Sequence, residues 1–493
     1  MLLLIADQMK HGIGYLKGED PGLQIDVAKH FESSGIKAAR CFDYLASRSY
    51  LKLASSLLPL KHWESHHELS YRITLLLAKS IYSCGDAEEA QSILQELLLK
   101  CRSMEEKLHV QELLVMSEYC RLSLMLKDCF FGSNYYHYLI FKVLVNEKKL
   151  MVAYNLCCDC LFTLGEIIPK TLYFNQSTKM IQTTLSLVES MSVEDLLELP
   201  EMDTRLTQCM SFYCTASVVA FFGKPEMIPI IACKMVQLTI ENGICHRSIT
   251  GFVNLAVVLC WNKDIENAMR VGKAAMSCLS QRYKKSELLN HTYLSYYGHV
   301  AFHFESFQLC CKKLQQGLDV LMLHGDVLMA GFYMCKYMNL AIPAGERLPT
   351  LLQKVDSYLE SAETHKLYMA KPFLTNLRCT IVSLMGNGDS LEQNDIPLPI
   401  VEAKYVHAAI KAFWQGYTER CQHFIDKYLV LIKSDSISGM QMVVFISFIH
   451  GLTTFQLMKK NFSVRLRTTA LEVIKVLKHL RKFSRWNFQN KVR

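Results

Sequence analysis

The chain has 493 residues, with 54 Lys and Arg against 46 Asp and Glu, a formal net charge of +8. Apolar residues make up 51%, above the about 45–50% of an ordinary globular chain, which excludes a disordered protein. Gly (22) and Pro (11) are few, which argues against many tight turns and for long helices with short connections. At about 150 residues per domain, the length fits about three domains or one elongated repeat array.

The start, MLLLIADQMK, has no basic region ahead of its apolar run, and Asp7 follows almost at once, so it does not read as a signal peptide. In KHWESHHEL, His62 and His66 stand four apart and would share a helix face, as metal ligands must. No third ligand follows at useful spacing and HExxH is absent, so His62, His66 and His67 read as solvated or capping histidines beside a packed Trp63.

Next, Leu76, Leu77, Ala78, Ile81 and Tyr82 precede a Gly85-Asp86 break, and Ala90, Ile93, Leu94 and Leu97 follow it. Apolar residues at i, i+3, i+4 and i+7 on both sides predict an antiparallel helix pair, with the small Ala78 and Ala90 allowing close approach. The same offsets from Ala256 fall on Leu259, Lys263, Ala268 and Gly272, and from Gly298 on Ala301, Glu305, Cys310 and Leu314. The first frame fits a tetratricopeptide unit well, the second fairly and the third poorly. Units of about 34 residues that each form a helix pair cannot bury their faces alone and stack into a solenoid.

Between these frames, LCCDCL places Cys157, Cys158 and Cys160 together. A zinc site would need a second pair and a redox motif a preceding strand, so these thiols, like Cys310 and Cys311, read as small buried apolar groups. With 19 cysteines, an odd count in a long chain, free thiols in a reducing compartment fit better than a disulfide framework. Gly272-Lys273 lacks the upstream glycine of a phosphate-binding loop, and no nucleophile elbow, kinase loop or paired-carboxylate signature appears. Pro59, Pro169, Pro200, Pro225, Pro229, Pro343 and Pro349 are expected between helical stretches.

Residues 386–400 form the most polar, turn-rich segment and are expected as a surface loop. They divide a solenoid over 1–385 from C-terminal helices over 401–493 that complete it. Ser436 to Met458 carries no charged side chain, but Gln441, His450, Thr453, Thr454 and Gln456 would be costly in hydrocarbon, so a buried helix is the reading rather than a membrane span. Residues 455–493 hold eleven Lys or Arg and one acid, Glu472, so this segment carries +10 and the rest of the chain −2. A basic amphipathic helix is expected over 463–485. Leu466, Ala470, Val473, Ile474, Leu477 and Leu480 form its stripe, and Lys475, Lys478, Arg481, Lys482 and Arg485 its charge. Such a helix is either the solvated face of a terminal solenoid helix or a contact for anionic membrane, nucleic acid or a calmodulin-like partner; the solvated face is favoured.

Four stretches together carry a family resemblance. Ala28 to Leu58 holds Gly35, Lys37-Ala38-Ala39, Ala46, Tyr50 and Leu57-Leu58; residues 62–90 hold Trp63 and the Gly85-Asp86 turn; Ser286 to Leu359 includes HGDVLMAGF; LKHLRKFSRWNFQNK ends on an NFxxK pattern at 487–491. Read in this order, the chain resembles the tetratricopeptide-like helical region of signalling proteins that begin with an AAA-type, STAND-class ATPase and end in a sensor histidine kinase or cyclase output module. The likeness covers most of the chain and is weakest over 103–141 and 372–399. It implies that the chain corresponds to the middle of such a protein, whose ATP-binding and kinase residues lie outside it.

The expected fold is thus all-α, a right-handed solenoid of about ten to thirteen antiparallel helix pairs. The expected function is a non-catalytic, cytoplasmic protein-interaction scaffold or regulatory module without a cofactor. It would bind a peptide or helix on its concave surface, and an ATPase or kinase module of the same protein is a further expected partner. The alternative is part of an ATP-dependent signalling enzyme.

Overall fold

A computed structural model describes residues 2–16, 21–41, 43–84, 86–125, 149–169, 176–189, 191–283, 289–324, 327–364, 367, 370–386, 401–434 and 440–489. Among these residues the chain is all-helical, with 24 α-helices and no strand beyond one isolated bridge between Glu201 and Ile244. The N-terminal helices are α1 (Leu2–Leu16), α2 (Pro21–Arg40), α3 (Tyr44–Ser56), α4 (His62–Ser65), α5 (His67–Ser83), α6 (Ala87–Lys100) and α7 (Met104–Met125). The middle holds α8 (Lys149–Thr163), α9 (Gln176–Glu189), α10 (Val193–Glu198), α11 (Thr204–Gly223), α12 (Ile228–Asn242), α13 (Ser248–Trp261), α14 (Ile265–Arg282), α15 (Leu289–His299), α16 (Phe307–His324), α17 (Val327–Ala344), α18 (Leu348–Thr364) and α19 (Ala370–Leu384). The chain closes with α20 (Val401–Trp414), α21 (Thr418–Ser434), α22 (Met440–Lys460), α23 (Val464–Phe483) and α24 (Arg485–Phe488).

Short polar side chains start many of these helices by capping the free N–H groups of the first turn. Asp43 accepts from the Ala46 amide at 2.9 Å, Asp203 from Leu206 at 2.8 Å and Ser463 from Leu466 at 3.2 Å. Ser192 and Asp195 form a reciprocal capping box at α10. The prolines divide more finely than expected: Pro225, Pro229 and Pro349 lie in first turns, where no ladder bond is lost, while Pro343 lies inside the last turn of α17.

Most helices pack on their neighbours in sequence, while α9 packs on α12 and α10 on α14. From α11 to α19 a second set of contacts links α11, α13, α15, α17 and α19 in a row. Buried and part-buried polar contacts recur at similar separations along the chain. Ser47 meets Ser80 at 2.8 Å, 33 residues on; Tyr71 donates to the Glu106 carbonyl at 3.1 Å, 35 on; Asn254 donates to Ser217 at 3.2 Å, 37 back; Thr250 meets Thr292 at 3.3 Å, 42 on. Ala6, Phe31, Tyr50 and Ile73 anchor an N-terminal core, and a long core runs from Leu108 to Ile381.

The small residues singled out by spacing are buried where the structure describes them. Ala78, Ala90, Ala256 and Ala268 are completely buried and Gly298 is buried at the end of α15; Gly85 lies outside the described residues, as does nearly all of the 386–400 segment. Lys263, seven residues after Ala256 where the first frame has Gly85, has φ +62°. A side chain there strains a left-handed backbone, so Lys263→Gly is expected to stabilise the chain by about 1 kcal/mol, seen as a higher melting temperature by circular dichroism. A β-carbon on Gly251 would lie 2.6 Å from Met235 Cβ, an atom fixed to the α12 backbone. Gly251→Ala is therefore expected to cost about 1–3 kcal/mol by forcing α12 and α13 apart, despite alanine's better helix propensity; an unchanged denaturation midpoint would refute this close approach.

The C-terminal helices do not only follow α19. Helix α22 packs on α15 and α17 as well as on α20, α21 and α23, and Val473, Leu477, Leu480 and Phe488 join the long central core. Three polar groups of α22 find partners on α21: Thr418 donates to Gln456 at 3.2 Å, Cys421 meets Thr453 at 3.2 Å and Gln422 meets His450 at 3.4 Å, while the Thr454 hydroxyl is buried without a partner. No helix of the described residues is long and apolar enough to cross a membrane.

Candidate functional site

A cleft of about 310 Å³ lies among α16, α17 and α18. Helical spacing puts Gln308, Cys311, Lys312, Gln315 and Gln316 of α16 on its wall. Tyr337, Ala344, Glu346 and Lys354 complete the lining. The Tyr337 hydroxyl donates to Glu346 Oε1, Lys354 donates to the same hydroxyl, and Lys354 Nζ lies 3.5 Å from Glu346 Oε1. Burial, and then the Glu346 carboxylate, raises the Tyr337 hydroxyl above its ordinary value, so it remains a protonated donor. Glu346 Oε2 is buried without a hydrogen-bond partner. Gln308 is turned to the Ala344 carbonyl at 2.6 Å and Gln315 accepts from Tyr358 at 2.9 Å. The Gln side chains, the Lys312 ammonium and the Lys354–Glu346 pair give the cleft wall both donors and acceptors. Nothing in the local spacing marks this cleft, because its members come from three helices and the turn after α17.

The basic C-terminal segment divides at Ser484. Helix α23 spans Val464–Phe483, Ser484 turns extended, and Arg485 begins α24, so the continuous helix expected over 463–485 ends two residues sooner. The reason is a tether. Asn487 Nδ2 donates to the Phe302 carbonyl at 3.0 Å and to the Glu305 carbonyl at 2.7 Å, while its Oδ1 accepts from the Phe307 amide at 3.1 Å. Phe488 is completely buried with its ring 6.2 Å from that of Phe307. The first two residues of the NFxxK pattern are thus a structural clasp. Of the expected stripe, Ala470, Val473, Leu477 and Leu480 are buried and Leu466 and Ile474 half-buried; Lys475, Lys478, Lys482 and Arg485 are exposed and Arg481 half-buried.

His62 on α4 and His67 on α5 are held by side-chain contacts, and the cysteines on α8 are buried. His62 Nδ1 meets Ser70 at 2.8 Å, His67 Nε2 meets Glu106 at 2.9 Å, His66 is exposed, and the Trp63 ring lies tilted against the first two at ring distances of 5.1 and 5.8 Å. No group of three His, Cys, Asp or Glu among the described residues could hold a metal ion. Cys157, Cys158 and Cys160 are buried on α8; burial pushes the Cys160 thiol up to about 12 and Cys157 well above its ordinary value. Thiols so poised carry little thiolate at neutral pH and are poor nucleophiles. A second, mostly apolar cavity of about 450 Å³ lies between α10, α13 and α14, with Arg270 at its edge donating to the Val188 carbonyl at 3.0 Å.

No protein-family model matches the chain, and no curated protein matches it either.

Proposed function

We propose that this chain is a non-catalytic helical-repeat scaffold, a right-handed solenoid of antiparallel helix pairs that binds a protein segment as a regulatory module in intracellular signalling. The carrying observation is the recurrence of buried and part-buried side-chain contacts at 33, 35, 37 and 42 residues, the spacing of stacked helix pairs, together with the row formed by α11, α13, α15, α17 and α19. Such stacks expose long concave surfaces, and their usual work is recognition. The cleft of Gln308, Tyr337, Glu346 and Lys354 is the proposed contact point for the segment. From the resemblance, an ATPase or output module is the expected class of partner.

Selection of peptides from a random displayed library against the purified chain tests this reading. The expected result is a peptide class whose binding falls at least tenfold in Lys354→Ala and Gln308→Ala, two substitutions at the rim of the cleft. Failure to enrich any class, or enriched peptides indifferent to both substitutions, would overturn the assignment of the cleft. ATP turnover by the chain would overturn the non-catalytic reading.

A further inference from the structure

We infer that the outward face of α23, with Trp486 beyond its end, is a docking surface for an anionic lipid bilayer. Residues at steps of seven, four, three and four along a helix lie within about 40° of one line. Val464, Leu471, Lys475, Lys478 and Lys482 stand at those steps on the side opposite the buried Ala470, Val473, Leu477 and Leu480. The order along the line is apolar, then cationic. Val464 is 76% exposed, Leu471 57% and Trp486 86%.

Three observations point to a bilayer. First, the charge is concentrated: the segment 455–493 carries +10 while the remainder of the chain sums to −2. Lys475, Lys478 and Lys482 make no ion pair among the described residues, although i,i+4 pairing with acids is the ordinary way to settle a surface helix. Second, the helix is moored. Its inner side joins the central core, and Asn487 and Phe488 fasten the following turn to residues 302–307. The cations are therefore presented by a fixed body rather than a loose tail. Third, Val464 and Leu471 share this face with the lysines, and the exposed Trp486 follows it on the next short helix. Basic residues meet anionic headgroups while Leu, Val and Trp enter the headgroup–acyl boundary, where indole is favoured. A nucleic-acid duplex would use the same lysines but leave Val464 and Leu471 in water, since phosphate contacts are polar. This inference does not rest on the α16–α18 cleft or on its proposed peptide.

Flotation of the full chain with vesicles tests this. Phosphatidylcholine–phosphatidylserine vesicles should carry the protein at low salt, and pure phosphatidylcholine vesicles should not. Lys475→Gln, Lys478→Gln and Lys482→Gln together should lower the affinity about 100-fold, at about fivefold per lysine, with helix content and melting temperature unchanged because all three are exposed. The tryptophan emission should shift to the blue on vesicle binding, and Trp486→Phe should remove the shift. Absence of flotation, equal flotation with neutral vesicles, or parental binding by the triple variant would overturn the proposal. So would binding of duplex DNA without vesicle binding, which would assign the face to nucleic acid.

Discussion

Asn487→Ala is expected to speed hydrogen exchange at the Phe307 amide by about two orders of magnitude. Each of the three bonds made by this side chain, to the Phe302 and Glu305 carbonyls and from the Phe307 amide, is worth about 1 kcal/mol net when its partner is left buried and unsatisfied. A loss of about 3 kcal/mol then corresponds to a little over a hundredfold in local opening. Asn487→Asp should rescue little: the carboxylate keeps the bond from Phe307 but faces two carbonyls with no proton to give. The outcome that would sink this account is unchanged exchange at Phe307 in Asn487→Ala, measured by mass spectrometry on peptides spanning 300–310.

The second large expected effect is loss of stability in mild acid. His303 is buried with neither ring nitrogen hydrogen-bonded, and burial lowers its pKa to about 4. His407 receives a 2.8 Å bond from Asn376 on Nδ1, its Nε2 is unpartnered, and burial lowers it to about 3. Both pKa values are depressed on folding, so between the unfolded value near 6.5 and the folded value the unfolded chain binds more protons. Stability is complete above about pH 6.5 and falls as the pH drops towards 4 and 3, at about 1.4 kcal/mol per pH unit for each ring. His299, also held well below its ordinary value by burial, acts in the same direction. The urea midpoint should therefore fall clearly between pH 7 and pH 5, above the range where paired carboxylates titrate. His303→Phe combined with His407→Phe should flatten that dependence; a slope identical to the parent's would show that these rings do not control it.

Helix content was legible because few glycines and prolines interrupt apolar residues recurring at period 3.6. Buried small residues were legible for the same reason: Ala78, Ala90, Ala256 and Ala268 sit where the period turns inward, and each is completely buried. Even the strained Lys263 stood at a position that the frame reserves for glycine. Residues joined across long stretches of chain were not legible. Asn487 meets partners 180 to 185 residues away, and no local pattern ties RWNF to AFHFESF. The same limit hid the cleft, whose Tyr337–Glu346–Lys354 cluster needs two helices and a turn to converge. The end of α23 was placed two residues late because continuing amphipathicity past Ser484 outweighed the tertiary pull of Phe488.

The clasp at Asn487 and Phe488 also decides how the molecule would bear load. In a plain stack of repeats, tension on the last helix peels units off one after another from that end. Here the final turn is riveted to residues 302–307, so force applied at the C-terminus passes directly into the joint between α15 and α16. Helices α17 to α22 lie off that line and are spared until the rivet shears. A pull too weak to break it leaves the cleft and the row of central helices undisturbed; one strong enough releases a long arm in a single step.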